Sequence, residues 1–171
     1  PSFSSRGVYK FFNNDRGKSI LSSFYKCMSR NLGCEHLVSA YDIHKVYVKM
    51  NDIPISNYVV IDSGGFECLD FVTRRKYWES CFSATDYQII MESLPRQINA
   101  NFVTFDKQYL GLPVRKQLSY ALPFADKAHE QNQLATFLLK PSKGTIISIN
   151  DIAKNIKKFR SFDFVGVTER E

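Results

Sequence analysis

The sequence predicts an α/β domain built on a parallel sheet, and three observations carry that prediction. Short β-branched or aromatic runs alternate along the chain with longer segments whose apolar residues recur at helical spacing. Several of the short runs are apolar throughout, the pattern of strands covered on both faces, as in a parallel sheet. The 171 residues are 44% hydrophobic and 14% aromatic with only 8 Gly and 6 Pro, which suits one folded domain with a core and excludes a fibrous or disordered chain. Alternating strands and helices imply right-handed βαβ units. Two architectures follow, an open doubly wound sheet or part of a closed eight-stranded (β/α) barrel. A whole barrel takes about 250 residues, so under the barrel reading the chain covers roughly five strands, as a single domain over residues 1–171 with a helical lead-in over 1–34.

The elements follow in order. Ile20, Leu21, Phe24, Tyr25 and Met28 form a stripe that predicts a helix over 17–31, stopped by Gly33. A strand over His36–Tyr41 comes next, then the buried run Tyr58-Val-Val-Ile-Asp62. A helical stretch covers about 70–80. Another begins at Thr85 as N-cap and runs through Tyr87, Ile90, Met91 and Leu94 to the stop at Pro95. Asn101-Phe-Val-Thr-Phe105 is the third strand. Val114, Leu118, Ala121, Leu122 and Ala125 mark a helix bent or broken at Pro123. The fourth strand is Leu134–Leu139. After Asn150, Ile152, Ile156 and Phe159 lie on one face and Lys154, Lys157 and Lys158 on another, an amphipathic helix. Phe162–Val167 reads as the fifth strand.

Charge and cysteine usage bound the partners. Lys and Arg number 23 against 17 Asp and Glu, a net +6 that is compatible with a polyanion and equally with an ordinary Lys-rich domain. Cys27, Cys34, Cys68 and Cys81 form no CxxC pair or standard zinc spacing, and His36, His44 and His129 share no close spacing, so no metal site is predicted. No signal peptide or apolar run of about 18 residues is visible, which predicts a cytoplasmic protein with no membrane partner.

Polar residues end the predicted strands: Asp42, then Asp62-Ser63-Gly64-Gly65, Asp106, Lys140, and Thr168-Glu169. Parallel strands bring such ends to one edge, where barrels and open sheets keep their chemistry. Carboxylates gathered there suit proton transfer, since like charges at close range raise one another's pKa. An Asp after a strand also commonly caps the next helix. Asp62-Ser63-Gly64-Gly65-Phe66 is the sharpest element, because two glycines behind a buried strand let bare N–H groups approach a ligand beside a carboxylate and a ring. Arg74-Arg75-Lys76, soon after it, is a candidate phosphate contact, as is the cluster Lys154–Arg160.

Tyr58-Val-Val-Ile-Asp-Ser-Gly-Gly-Phe-Glu67 resembles the DSGGFQ or DSGGYQ strand and loop of the tRNA-guanine transglycosylase superfamily. Phe102-Val-Thr-Phe-Asp106 resembles that family's next strand, which ends in an FDE-type motif. Leu134–Lys140 falls where the family has a strand ending in Gln-Gly, and Phe162–Val167 where it has a strand leading to a Gly-Gly-Leu turn. Order and spacing agree over roughly residues 35–170; only the DSGGF element is specific by itself.

The resemblance implies a TIM-barrel-like pentosyltransferase that exchanges guanine in DNA or tRNA for a 7-deazaguanine such as queuine, the base of queuosine, or a precursor. It implies that Asp62 lies beside the ribose and serves proton transfer. Ser63, Gly64 and Gly65 would lie near the base and Phe66 would stack on it; Gly166 falls in the substrate-binding part. Asp106 would read the Watson–Crick edge of guanine, accepting from N1–H and the exocyclic amine. Extruding the base costs a few kcal/mol, which an aromatic platform partly offsets, and the exchange is a double displacement through a glycosyl-enzyme.

Three departures stand out. Glu67 replaces the usual Gln, Lys107 replaces the Glu after the second Asp, and Lys140 replaces the base-binding Gln and offers a charged donor to a base carbonyl. The family's nucleophilic aspartate and its zinc site of three Cys and one His belong to later strands, not found before Glu171, so the chain is expected to be a fragment or a shortened relative with no cofactor of its own. Such divergence suits the family's DNA-modifying branch. A homodimer or partner subunit is compatible with this reading. Two alternatives stand beside it: a non-catalytic nucleic-acid-binding subunit of the family, and an unrelated barrel enzyme whose Gly64-Gly65 loop holds a phosphate.

Overall fold

The computed structural model describes residues 14–17, 19–20, 23–24, 27, 36–46, 48–53, 59–64, 82–105, 112–140 and 148–167. Five strands form one all-parallel sheet in the order β1-β2-β3-β4-β5, with β1 His36–Ser39, β2 Val59–Asp62, β3 Ala100–Val103, β4 Leu134–Leu139 and β5 Phe164–Val167. The helices are α1 Ala40–His44, α2 Ala84–Ser93, α3 Val114–Glu130 and α4 Ile149–Phe159, with a 3₁₀ turn at Met50–Asp52. The chain divides into two compact units, residues 1–101 and 102–171. Among the described residues no helix is long and apolar enough to cross a membrane.

In the first unit helical backbone begins at Asp15, where Asn14 Oδ1 accepts from Gly17 N at 2.7 Å as an N-cap does. Ile20 and Phe24, expected in a core stripe, are about half exposed. β1 and β2 pair in register, His36 beside Val59 and Ser39 beside Asp62. Val38, Val59 and Ile61 share one face and are fully buried, whereas Leu37, Val60 and Asp62 on the other keep some exposure. The first strand is shorter than its sequence suggests: α1 starts at Ala40, which places Asp42 in a helical turn and buries it. α2 is capped by Ser83, not by Thr85. Ser83 and Asp86 form a reciprocal capping box, Ser83 N donating to Asp86 Oδ2 at 2.7 Å and Asp86 N to Ser83 Oγ at 3.1 Å. Tyr87, wholly buried on α2, donates from its hydroxyl to Ile61 O at 3.3 Å and so ties the helix to β2. Phe82 stands edge-on to Tyr41 and Tyr87, with ring centroids 6.1 and 6.3 Å apart. The predicted helix over 70–80 lies outside the described residues.

In the second unit Ala135, Phe137 and Leu139 of β4 are buried, while Leu134, Thr136 and Leu138 on the opposite face are half-buried. The Phe137 ring meets Phe159 of α4 at 5.8 Å and Phe162 at 5.2 Å. α3 runs unbroken through Pro123, contrary to the expected bend or break. The carbonyl that loses its partner belongs to Ser119, which is exposed and open to water, while Leu118, Ala121, Phe124, Ala125 and Ala128 bury the other side. α3 ends in a Schellman turn: Asn132 takes φ +56, and Gln133 N donates to Ala128 O and Asn132 N to His129 O. β5 begins two residues later than predicted because Asp163 is engaged below the strand, its N donating to Ala135 O at 3.0 Å and its Oδ2 accepting from Ala135 N at 2.8 Å. Phe164, Val165 and Val167 of β5 are exposed, as are Ile149 and Ile156 of α4; of that helix's apolar stripe Phe159 is buried and Ile152 half-buried.

Candidate functional site

β2 leaves the core at a fixed point, since Val59 and Ile61 are fully buried. The chain then folds back on the strand's last side chain: Gly64 N donates to Asp62 Oδ2 at 3.1 Å. A carboxylate bonded to the amide two residues on is an Asx turn, a side-chain substitute for a backbone turn. Gly64 sits at φ +77, where an L side chain is strained. Space excludes a side chain as well. A methyl at Gly64 would lie 2.5 Å from Tyr41 Cβ, 2.9 Å from Tyr41 N and 3.0 Å from Ser39 Oγ. Conformation and crowding therefore both require glycine, and the turn is pressed onto the end of β1 and the start of α1.

The consequence for the predicted residues is specific. Ser63 is fully buried and Asp62 half-buried, with its carboxylate oriented by the Gly64 amide. That amide is engaged by the chain's own carboxylate and is not a bare donor awaiting an anion, which corrects the expectation for Gly64. Ser39 and Tyr41, which the motif did not single out, form the wall of the turn. Gly65, Phe66, Asp106 and the Arg74-Arg75-Lys76 cluster lie outside the described residues.

In the second unit Lys140 directly follows β4 and is half-buried. Gln117, buried on α3, brackets its backbone: Nε2 donates to Lys140 O at 2.8 Å and Oε1 accepts from Lys140 N at 3.0 Å. One strand over, the Thr104 hydroxyl at the end of β3 is fully buried and has no hydrogen-bond partner among the described residues. Gly166 lies inside β5 opposite Leu138, within the run read as the fifth strand. A methyl there would meet only the flexible tip of that leucine, Cδ2 at 2.8 Å, so the position is not a glycine-requiring loop.

No family model, curated protein or solved structure matches the chain.

Two carboxylates away from the strand ends are held below the usual range. For Asp86 the Ser83 hydroxyl and the Ser83 N–H lower it, outweighing burial, with His44 and Lys45 adding positive charge nearby. For Asp163 burial pushes upward, but the Ala135 N–H and the His129 ring, Nε2 at 2.9 Å, together hold it down. Both are anchors of local structure: one caps α2, and the other joins α3, β4 and the approach to β5. Among the described residues no three His, Cys, Asp or Glu side chains gather as a metal site.

Proposed function

We propose that the chain is a transglycosylase-type unit that exchanges guanine in nucleic acid for a 7-deazaguanine. The observation that carries this reading is the Asx turn at the end of β2, where a half-buried carboxylate is oriented by a glycine amide in a space that admits no side chain. Parallel α/β enzymes keep their chemistry at this edge of the sheet. The strand order gives further support. Each strand is added beside the last with no reversal, the winding of a barrel wall, whereas a doubly wound sheet reverses direction at a switch point. A net charge of +6 suits a polyanionic substrate.

In this reading a nucleophilic carboxylate displaces guanine from the anomeric carbon, forming a sugar–enzyme bond as the sugar–base bond breaks. The incoming base reverses the step. Asp62 moves the proton that the leaving base gains and the entering base loses. Asp106 accepts from the guanine N1–H and amine, and Lys140 donates to the carbonyl edge. The nucleophile is not assigned to a residue of this sequence.

The test is incorporation of labelled guanine into tRNA or duplex DNA by the protein. Incorporation is expected, and Asp62→Asn is expected to abolish it while the amide oxygen of Asn keeps an acceptor for Gly64 N–H and so preserves the turn. Undiminished incorporation by D62N overturns the role of Asp62. Binding of nucleic acid without exchange would make the chain a non-catalytic subunit. Tight binding of a small phosphate ester with indifference to nucleic acid would make it an unrelated barrel enzyme.

A further inference from the structure

Gln117 is only 2% exposed, and its amide makes three of its four possible hydrogen bonds. Both N–H donors are used, to Leu112 O and Lys140 O at 2.8 Å, and the carbonyl accepts from Lys140 N at 3.0 Å. The two bonds to Lys140 have the form of the mutual exchange between directly opposed residues of antiparallel strands. They begin one residue past Leu139, where β4 and its register with β5 end. The third bond ties the same amide to the residue leading into α3. A side chain thus holds the backbone one residue past the strand and fixes it to a helix.

We infer that Gln117 is a positioning residue for Lys140, setting the direction in which the ammonium leaves the sheet. Alternation along β4 puts that side chain on the face of Leu134, Thr136 and Leu138, opposite Phe137, whose ring packs on Phe159 and Phe162. A lysine has four rotatable bonds, so a donor meant for one carbonyl gains from a fixed backbone root. That the ammonium meets the carbonyl edge of a guanine rests on the proposed function; that Gln117 holds residue 140 does not.

Amide exchange reads the second statement directly. In Gln117→Ala the Lys140 amide loses its acceptor, and its exchange is expected to quicken on the order of tenfold to a hundredfold, the factor for one buried hydrogen bond. The Phe137 amide, inside β4, is expected to keep its rate. A merely structural role would speed both amides together. Gln117→Glu is the conservative variant: its protonated acid can donate to Lys140 O and accept from Lys140 N, so the ratio of the two exchange rates is expected to return towards wild type as pH is lowered. An unchanged Lys140 rate in Q117A, or both amides quickening in step in both variants, overturns the inference.

Binding of free guanine separates this inference from the proposed function. Q117A and Lys140→Ala are expected to weaken it by the same factor, and the double variant no more than K140A alone. Guanine binding lost in K140A but intact in Q117A overturns the inference alone. Failure of the wild-type protein to bind guanine overturns the transglycosylase reading, and the exchange ratio still decides whether Gln117 holds Lys140.

Discussion

Gly64→Ala puts the geometry of the β2 turn to a quantitative test. The added methyl meets two penalties. Holding alanine at the left-handed φ of +77 costs about 1–2 kcal/mol. The methyl also lands 2.5 Å from Tyr41 Cβ and 2.9 Å from Tyr41 N, where ordinary contact would be near 3.5–4.0 Å. Neither atom can swing aside, because both are fixed by the backbone of α1; only the Ser39 hydroxyl could rotate away. Overpacking of this kind costs about 1–3 kcal/mol, so the two penalties sum to about 2–5 kcal/mol, a large share of the roughly 5–15 kcal/mol typical of a domain. Urea unfolding followed by far-ultraviolet circular dichroism measures it as a lower midpoint at an unchanged slope. Ser39→Ala is not expected to rescue the variant, since the Tyr41 contacts remain. A loss under about 1 kcal/mol would refute the reasoning, because the turn could then not be pressed against α1.

Three further outcomes follow from local structure. Asp163 titrates below its unfolded range, so its contribution is fully present above the unfolded carboxylate pKa near 4 and is lost as pH falls through the lower folded value; acid unfolding curves should show this slope, flattened in Asp163→Asn, and equal slopes would contradict it. Ser83→Ala removes the hydroxyl that both accepts from Asp86 N and donates to its carboxylate, and should cost about 1 kcal/mol in thermal or urea unfolding. Val46 is a β-branched residue at φ +58, 65% exposed at the end of α1, so Val46→Gly should stabilise by about 1 kcal/mol, and destabilisation would show that its backbone is not where the structure puts it.

Elements whose signals are local were legible in the sequence. Leu134–Leu139 is a strand with the predicted ends, and α2 stops before Pro95 as predicted, because an apolar run and a proline each act on their own neighbourhood. The structure caps α2 at Ser83 and not at Thr85: both residue types cap helices, Ser the better of the two, and what decides is the capping box with Asp86, a relation between two positions three apart. The end of β1 was overrun because Ala40 and Tyr41 suit strand or helix, and the turn of β2 pressing on Tyr41 belongs to the tertiary structure. Gln117 gave no signal at all, since its partners lie 5 and 23 residues away and a glutamine in a helix is ordinarily a solvated residue. Of the site itself, Asp62 and Gly64 were legible by type but not by role, because spacing reveals a glycine that permits a turn and conceals which acceptor its amide will find.

Left-handed backbone occurs at three described positions, and each is held there for a different reason. Asn132 closes a Schellman turn, a standard helix ending that needs no other explanation. Val46 also follows a helix end and points into solvent, so its strain acts on nothing beyond α1. Gly64 lies at the exit of a parallel strand, between a fully buried serine and the roof made by Ser39 and Tyr41, with its amide on a carboxylate. A polar arrangement that buries a serine, half-buries a carboxylate and tolerates no side chain is costly as mere chain reversal, for which any exposed Asn-Gly would serve. Where local structure departs from the cheapest solution at the edge of a parallel sheet, the departure is expected to have a chemical reason. The oriented carboxylate of Asp62 supplies one, and D62N, which keeps the turn and removes the charge, separates that reason from the fold.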